Sequence, residues 1–474
     1  MLIIFIIITI LFSGLAFLIR KHQISYFIVT AYCLFLGGFS SYELLHMGER
    51  QWNYLNPDAL GVIFLFILSV LSFITSIQYR LYALRRKEDS RTVAIHNGVF
   101  IVFLAAITGV NLSNNFGLMW AFIEATTLTG AVLIYHDREK LVLEAVWKYI
   151  FVCSVSIALA FAGILFLSIA AQESNSVDFS FEGISRLTTT MNPIWLKACF
   201  LFVLTGFSVK MGVFPMFNVD IDAKDMAPSP ISAMFSSVLM NTGFLAIFRF
   251  YAAFSGTDIQ PWMHHVLMIT GILSILLAAA YLIRVKNYKR IFGYSSMEHA
   301  GLILLAVSMG KAGCFAAVLH IILHSLIKSS LFYQIGQVHY WYESKMDGIA
   351  GGYFKKNPAG GLVLLIGLFS AIALPPSGLF FSEFLIFKSF IAEGQILLCV
   401  VVMLLLTVIM YSLSKSILRL LFISPPSTLD QDQNRISPWE STSQFILLGL
   451  SIYLGFAQPP FFVDFINQAL VAIQ

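Results

Sequence analysis

Long apolar stretches separated by short polar segments run along the whole chain. Most are about 20 residues long, the length of helix that spans a hydrocarbon core of about 30 Å. They lie near residues 1–19, 24–44, 59–79, 96–113, 115–135, 146–171, 194–217, 228–252, 263–283, 293–310, 313–339, 361–390, 395–421 and 442–470. Backbone groups in lipid must be hydrogen-bonded within the chain, and the strict alternation typical of barrel strands is absent from the sequence. The pattern therefore predicts an all-α integral membrane protein with about fourteen transmembrane helices.

Basic residues fall mainly in every second loop between the predicted helices. If the loops alternate between the two sides of the membrane, one side collects most of the lysines and arginines, and the positive-inside rule makes that side cytoplasmic. The residues on the basic side are Arg20, Lys21, Arg80, Arg85, Arg86, Lys87, Arg91, Arg138, Lys140, Arg284, Lys286, Lys289, Arg290, Lys355, Lys356, Lys415 and Arg419. We therefore expect a multi-pass protein of the cell inner (plasma) membrane, with both termini on the outer (periplasmic) face.

Two of the predicted helices, the seventh and the twelfth, contain helix breakers in their interiors. Pro215 follows Lys210 in the seventh, and Pro375 and Pro376 precede Glu383 in the twelfth. Broken helices beside ionisable residues in corresponding halves of a chain are typical of inverted-repeat transporters. Two unrelated proline kinks are the alternative, because proline is common in membrane helices.

The offset of five helices between the two breaks predicts a pair of inverted five-helix repeats. An odd number of helices reverses the orientation of the second repeat, as an inverted repeat requires. The expected segments are transmembrane helices 1–3 in residues 1–94, the first repeat (helices 4–8) in 95–255, the second repeat (helices 9–13) in 256–423 and helix 14 in 424–474.

The composition supports a membrane protein and excludes several other classes. Hydrophobic residues make up 58% of the 474 residues and charged residues only 11%, far from the balance of a soluble chain. The five cysteines lie singly in apolar stretches, without the close spacing of iron–sulfur or zinc ligands, and there is no glycine-rich nucleotide loop. We therefore expect no cofactor, no metal centre and no nucleic-acid partner for this chain.

Six charged side chains nevertheless lie inside the apolar stretches. A charge at the bilayer centre costs about 3 kcal/mol on insertion scales, so such residues usually face a wet or paired interior and lie on an ion pathway. They are Glu124, Lys148, Lys210, Glu298, Lys328 and Glu383. Because they carry both signs and are spread along the chain, they favour a relay through the membrane plane over one isolated site.

The first half of the chain contributes a possible ion pair and a lysine. If Glu124 and Lys148 pair, making and breaking the pair would change the charge state of both residues, which is a possible switch. A static ion pair that only fixes helix packing is the alternative. Lys210, beside the break at Pro215, is the next candidate, since a desolvated lysine can release its proton.

The second half is richer in histidine. His320, His324 and Lys328 follow one another at a spacing of four, which places all three on one face of a helix. Imidazole can accept a proton at one nitrogen and donate one at the other, so this column is a possible proton wire. Glu298 and His299 lie on the preceding predicted helix. Glu383 would be the carboxylate through which protons leave the row formed by His320, His324 and Lys328.

Metal binding is the rival interpretation of the two histidines, because histidines four residues apart can bind one ion. We favour the proton wire, since no carboxylate or cysteine on that helix completes a ligand set and Lys328 would repel a cation.

Several segments together resemble the proton-pumping antiporter-like subunits shared by respiratory complex I, Mrp-type cation antiporters and membrane-bound hydrogenases. Within that superfamily the sequence is most similar to the hydrogenase-4 component F branch. The matching segments are IEATTL around Glu124, EAVWKYIFVCSVSIALA around Lys148, VKMGVFPM around Lys210, APSPISAM from Ala227, YKRIFGYSSMEHAGLI through His299, LHIILHSLIKSSLF through Lys328 and LPPSGLFFSEFLIFK through Glu383.

The resemblance implies a fold and a role for each residue. The fold is that of fourteen helices with two inverted five-helix repeats and broken helices 7 and 12. The implied relay consists of Glu124 with Lys148 as a charge-switching pair, Lys210 as central carrier, His320, His324 and Lys328 as connecting file, and Glu383 as terminal carrier, with Glu298 and His299 in support.

The resemblance also implies the partners of the chain. It would be a non-catalytic, ion-translocating subunit of an oxidoreductase complex, without a redox cofactor of its own. Its partners would be other membrane subunits and a peripheral redox module, either Ni–Fe hydrogenase-like or NADH dehydrogenase-like, in a lipid membrane.

One stretch departs from the family pattern. After Pro215 the family usually has His, one residue and then Trp-Leu-Pro-Asp-Ala-His, whereas this chain reads FNVDIDAK from Phe217. Asp220 and Asp222 are candidate substitutes for the missing histidines in taking up protons for Lys210.

Three further functions remain open at this point. A Na⁺/H⁺ antiporter component would use the same buried charges, and so would a proton-conducting partner of an inorganic-carbon uptake complex. A self-contained solute transporter is less favoured, because no substrate-binding chemistry is evident beyond the charged file.

Overall fold

The computed structural model describes residues 1–47, 52, 54–173, 178–423 and 436–471, and these residues contain helices but no β-strand. Up to the first helix break the helices are α1 (Leu2–Leu18), α2 (His22–Leu45), α3 (Ala59–Arg86), α4 (Ser90–Leu112), α5 (Phe116–Ile134), α6 (Lys140–Glu173), α7 (Phe181–Leu187) and α8 (Pro193–Met211). The helices that follow are α9 (Asn218–Met226), α10 (Ser229–Ala253), α11 (Gln260–Leu282), α12 (Tyr288–Ser308), α13 (Gly310–Tyr342), α14 (Tyr353–Lys356), α15 (Pro358–Ala371), α16 (Gly378–Ala392), α17 (Ile396–Phe422), α18 (Thr442–Phe456) and α19 (Pro460–Ala469).

Many of these helices are membrane-spanning in length and composition. Eleven helices of the described part are long and apolar enough to cross a bilayer, and twelve if the bent pair formed by the segments Pro438–Phe456 and Pro460–Ala469 counts as one span. The all-α membrane class is therefore confirmed. The exact count of fourteen and the inverted repeats stay predictions.

The chain divides into two compact units. Unit 1 comprises Met1–Met234, Val238–Val266 and Phe465–Gln474, and unit 2 comprises Phe235–Ser237 and Leu267–Asp464. The predicted boundaries at residues 94, 255 and 423 stay predictions. Of the predicted last segment, residues 424–435 and 472–474 lie outside the described part of the chain.

Side-chain caps explain where several helices begin. Asp58 accepts a hydrogen bond from the backbone N–H of Gly61 at 2.7 Å, and Asn115 caps α5 in the same way. Asn357 and Ser377 cap α15 and α16. Such caps satisfy N–H groups that the first turn of a helix leaves without a partner.

Both predicted helix breaks lie beside candidate site residues. Helix α8 ends one residue after Lys210, where Gly212 adopts φ +74°, and α9 begins only at Asn218. That φ favours glycine, and a Cβ there would also lie 2.5 Å from the Asp220 carboxylate. The second break separates α15 from α16, five residues before Glu383.

Helices α6 and α8 of unit 1 pack closely because glycines face the opposite backbone. A Cβ on Gly206 would lie 2.6 Å from the Ser156 carbonyl oxygen and from Ala160, and one on Gly163 would lie 2.9 Å from the Cys199 carbonyl oxygen. This close approach sets the distance between the helices that carry Tyr149 and Lys210.

We expect Gly206→Val to destabilise the protein by about 1–3 kcal/mol, because the new side chain overlaps backbone atoms of α6 that cannot move aside easily. Thermal unfolding in detergent would measure the effect. Gly38→Val is the matched control, since Gly38 lies in helix α2 of the same unit and a Cβ there meets no atom within 4 Å. Equal melting temperatures for the two variants would contradict the proposed close packing.

Candidate functional site

Unit 2 contains a compact cluster of ionisable side chains inside apolar helices. None of its members is more than 9% exposed. They are Glu298 and His299 on α12, His320, His324 and Lys328 on α13, and Glu383 on α16. Three separate helices thus bring together the residues that the sequence singled out in the second half of the chain.

His299 lies against the histidine column of α13. Its ring centroid is 5.1 Å from that of His320 and 5.2 Å from that of His324. Lys328 donates a hydrogen bond through Nζ to Ser295 Oγ at 2.6 Å, and Ser295 is one helical turn before His299. The column predicted on one face of α13 therefore faces two polar positions of α12.

A chain of hydrogen bonds assigns the protonation of the rings. The Ser382 hydroxyl donates to the Leu379 carbonyl oxygen at 3.0 Å, so Ser382 Oγ must accept from His320 Nδ1, which lies 3.0 Å away. A neutral His320 protonated on Nδ1 leaves a lone pair on Nε2. His299 Nδ1, at 3.1 Å from that atom, is then the donor. The hydrogen bond between the two imidazoles therefore runs from His299 as donor to His320 as acceptor.

Two carboxylates lie beside His299. Glu298 Oε1 lies 3.5 Å from His299 Nδ1, and Glu383 Oε1 lies 3.8 Å from the same atom. Both residues line a cavity of about 290 Å³. Glu298 was predicted in a supporting role, but its distance to His299 is comparable to that of Glu383.

Lys210 is the centre of the polar cluster in unit 1. It is 1% exposed, and its Nζ donates to the Tyr149 hydroxyl of α6 at 3.2 Å. Glu124 and Asp220 both lie close enough to interact favourably with its ammonium group through Coulombic attraction. The direct partner of this buried lysine is a hydroxyl, and the carboxylates lie farther away. Loss of the lysine proton therefore breaks no direct ion pair and leaves no buried carboxylate without its partner.

Asp220 forms a buried ion pair with Lys224, one turn later on α9. The side chains of Asp220 and Lys224 are 6% and 1% exposed, respectively, while Asp222 on the same helix is partly exposed. Neither Lys224 nor Tyr149 was predicted from the sequence to be a site residue. Acidic and basic residues four apart in NVDIDAKDM were the available signal for Lys224, and no local signal exists for Tyr149.

Lys148 has an ion-pair partner that was not predicted from the sequence, and its pairing with Glu124 stays a prediction. The ion pair observed joins Lys148 Nζ to Glu144 Oε1 at 2.6 Å, and both side chains are more than half exposed. Helix α6 begins at Lys140, before the predicted start at residue 146, so Glu144 and Lys148 lie one turn apart on the same helix. Glu124 is partly exposed and accepts a hydrogen bond from Thr127 Oγ1 at 3.3 Å.

Two groups of side chains in the described part have the donor atoms and spacing to hold a metal ion. In unit 2 they are His299, His320 and Glu383, whose ligand atoms lie within 4.8 Å of one another. In unit 1 they are Glu88, His136 and Asp137, where His136 Nε2 lies 2.6 Å from Glu88 Oε1 and Tyr79 donates to the same carboxylate. The second group was not predicted from the sequence.

Comparisons with known proteins agree with the fold and with the resemblance noted in the sequence. The model of the family described as NADH:quinone oxidoreductase/Mrp antiporter, TM, matches residues 113–410. The hydrogenase-4 component F homolog of Methylacidiphilum infernorum is 30% identical over 392 residues, which cover 80% of this chain and 81% of that protein. The similarity to hydrogenase-4 component F is thereby confirmed.

Solved structures share the fold at lower sequence identity. A chain of an archaeal membrane-bound sulfane sulfur reductase matches with a TM-score of 0.87 and 20% identity, covering 99% of this chain and 96% of that one. A chain of the Mrp complex from Dietzia sp. DQ12-45-1b matches with a TM-score of 0.86 and 15% identity, with the same coverage of 99% and 96%. From the match of its residues 113–410, this chain belongs to the NADH:quinone oxidoreductase/Mrp antiporter transmembrane family.

Proposed function

We propose that this chain is a proton-translocating membrane subunit of a hydrogenase-like or complex I-like redox complex. The observation that carries the proposal is the hydrogen-bonded sequence of His299, His320 and Ser382, buried in membrane helices with two carboxylates beside His299 Nδ1. Isolated ionisable groups at this depth are costly, and a connected set that can pass a proton is a common reason to keep them.

A proton can cross the unit 2 cluster in steps between neighbouring groups. The protonated carboxyl group of Glu298 or Glu383 gives its proton to His299 Nδ1 as His299 passes the proton it holds there to His320 Nε2, so His299 stays neutral and His320 becomes an imidazolium. His320 then releases its Nδ1 proton to Ser382, whose hydroxyl turns from the Leu379 carbonyl oxygen and passes its own proton on. Lys328, held by the Ser295 hydroxyl, supplies a nearby positive charge whose loss or gain alters the affinity of the rings for protons.

In unit 1 the proposed carrier is Lys210. Asp220, whose partner is Lys224, is the group from which it would receive protons, and Asp222 is the more exposed alternative. Glu124 would modulate Lys210 through Coulombic attraction. Lys148 stays a candidate for the switch, because an ion pair on an exposed helix face can exchange its carboxylate partner.

The finer topology belongs to the same proposal. We infer fourteen spans in all, with two inverted five-helix repeats and both termini on the outer face of the plasma membrane. Proton movement would be coupled electrostatically to redox chemistry in a peripheral module of partner subunits, and this chain would hold no redox cofactor. The similarity to a hydrogenase-4 component F homolog supports such a partner.

A Na⁺/H⁺ antiporter component is the second candidate. The similarity in fold to a chain of an Mrp complex, with a TM-score of 0.86, favours it. Translocation in vesicles that depends on Na⁺ would identify this function, whereas translocation that needs only the redox donor would identify the first.

Glu383→Gln and Lys328→Ala are expected to reduce redox-driven proton translocation by the complex in liposomes to the level of vesicles without protein, because each removes an ionisable group of the relay. The matched controls are Glu393→Gln, at the end of α16, and Lys311→Ala, at the start of α13. Both control residues are exposed, and full translocation is expected in both. Full translocation in Glu383→Gln and Lys328→Ala would contradict the relay.

Asp220→Asn should destabilise the protein by about 3–5 kcal/mol, because it leaves the buried Lys224 ammonium without its partner. The double variant Asp220→Asn with Lys224→Met should recover much of that stability, as measured by thermal unfolding. If Asp220 feeds Lys210, the double variant folds but translocates slowly. Normal translocation in the folded double variant would show that the pair is only structural.

A further inference from the structure

Three donor atoms of unit 2 lie close together around one point. His299 Nδ1 is 3.1 Å from His320 Nε2 and 3.8 Å from Glu383 Oε1. All three ligand atoms lie within 4.8 Å of one another, and none of the three residues is more than 9% exposed. Nitrogen and carboxylate oxygen are the donors that zinc takes in sites with three protein ligands.

Two of the three separations are close to those of tetrahedral coordination, and the third, between His320 and Glu383, is no more than 4.8 Å. Zinc bonds to histidine nitrogen and carboxylate oxygen measure about 2.0–2.2 Å, so two ligand atoms at the tetrahedral angle lie about 3.3 Å apart. The two separations given above lie on either side of that value. A shift of the Glu383 carboxylate oxygen by about 0.5 Å toward His299 would bring the longer separation to that value.

An outer partner already orients one of the ligands. Because the Ser382 hydroxyl donates to the Leu379 carbonyl oxygen, it accepts from His320 Nδ1 and leaves the lone pair of His320 on Nε2. A metal-bound histidine almost always donates its second N–H to an oxygen in this manner. The ring therefore has the tautomer that a metal ligand needs.

The local charge also admits a cation. Lys328 argued against a metal when only helix α13 was considered, but the structure places two carboxylates beside His299, and their negative charge offsets that of the lysine. Glu298 Oε2 is buried and has no hydrogen-bond partner in the described part of the chain. Glu298 and Glu383 also line a cavity of about 290 Å³, which has room for water beside the Glu383 carboxylate.

We propose that His299, His320 and Glu383 bind a Zn²⁺ ion, and that the bound ion stops proton movement through unit 2. The ion takes the lone pair of His320 Nε2 and that of His299 Nδ1. His299 keeps its single proton by moving it to Nε2, so the step involves no redox change. The block itself rests on the proposed proton relay, whereas the metal site rests on geometry alone.

Equilibrium dialysis of the purified full-length chain in detergent against Zn²⁺, followed by metal analysis, tests the site. We expect the wild type to bind one ion that His320→Gln and Glu383→Gln lose. His136→Gln is the control, because it removes a ligand of the other metal-capable group. Ser382→Ala should weaken binding by about 10–100-fold through loss of the orienting partner. Thermal unfolding would verify that each variant folds.

Two results would overturn the site. One is unchanged zinc binding in folded Glu383→Gln, and the other is loss of the ion in His136→Gln but not in His320→Gln. A separate measurement in liposomes tests the block: half-inhibition of translocation should coincide with half-occupancy of the site. Translocation that continues at saturating Zn²⁺ would contradict the proposed inhibition by the metal but not the proposed metal-binding site. Absence of translocation without zinc would instead contradict the proposed function.

Discussion

The cost of placing ionisable side chains in an apolar membrane interior is the constraint on which the rest of this structure depends. Each deeply buried lysine discussed above is therefore held by a specific partner. Lys210 donates to the Tyr149 hydroxyl, Lys328 to the Ser295 hydroxyl, and Lys224 pairs with Asp220. The first two arrangements share a property, because a hydroxyl can bond to a lysine in either charge state, whereas a bonded carboxylate favours the charged one.

Packing of the backbone supports these partnerships. In unit 1 the close approach of α6 and α8 at Gly163 and Gly206 brings the helix that carries Tyr149 near the end of α8. The turn at Gly212 then ends α8 directly after Lys210. Because the Asp220 carboxylate lies against Gly212, only a residue without a Cβ atom fits at this position. A wider helix contact or a longer helix would separate the lysine from its partners.

In unit 2 the buried ionisable side chains are stabilised by a hydrogen-bonded network rather than by separate pairs. Two histidines on different helices bond to each other, a serine fixes the direction of that bond, and two carboxylates approach the same nitrogen. Because several donors and acceptors converge on His299, this cluster can accommodate a proton or a metal ion at the same atoms. The two proposed properties therefore have one geometric origin.

The sequence alone determined the all-helical membrane class, the two helix breaks and the common face of His320, His324 and Lys328, because these depend on apolar length, on proline and on spacing within one helix. Only the tertiary structure decided that Glu383 meets His299 and that Ser295, Ser382 and Tyr149 are the hydroxyl partners. It also decided that Lys148 pairs with Glu144, because the true start of α6 adds a turn that the apolar pattern does not include. Contacts between helices depend on how whole faces pack, and spacing along one helix does not contain that information.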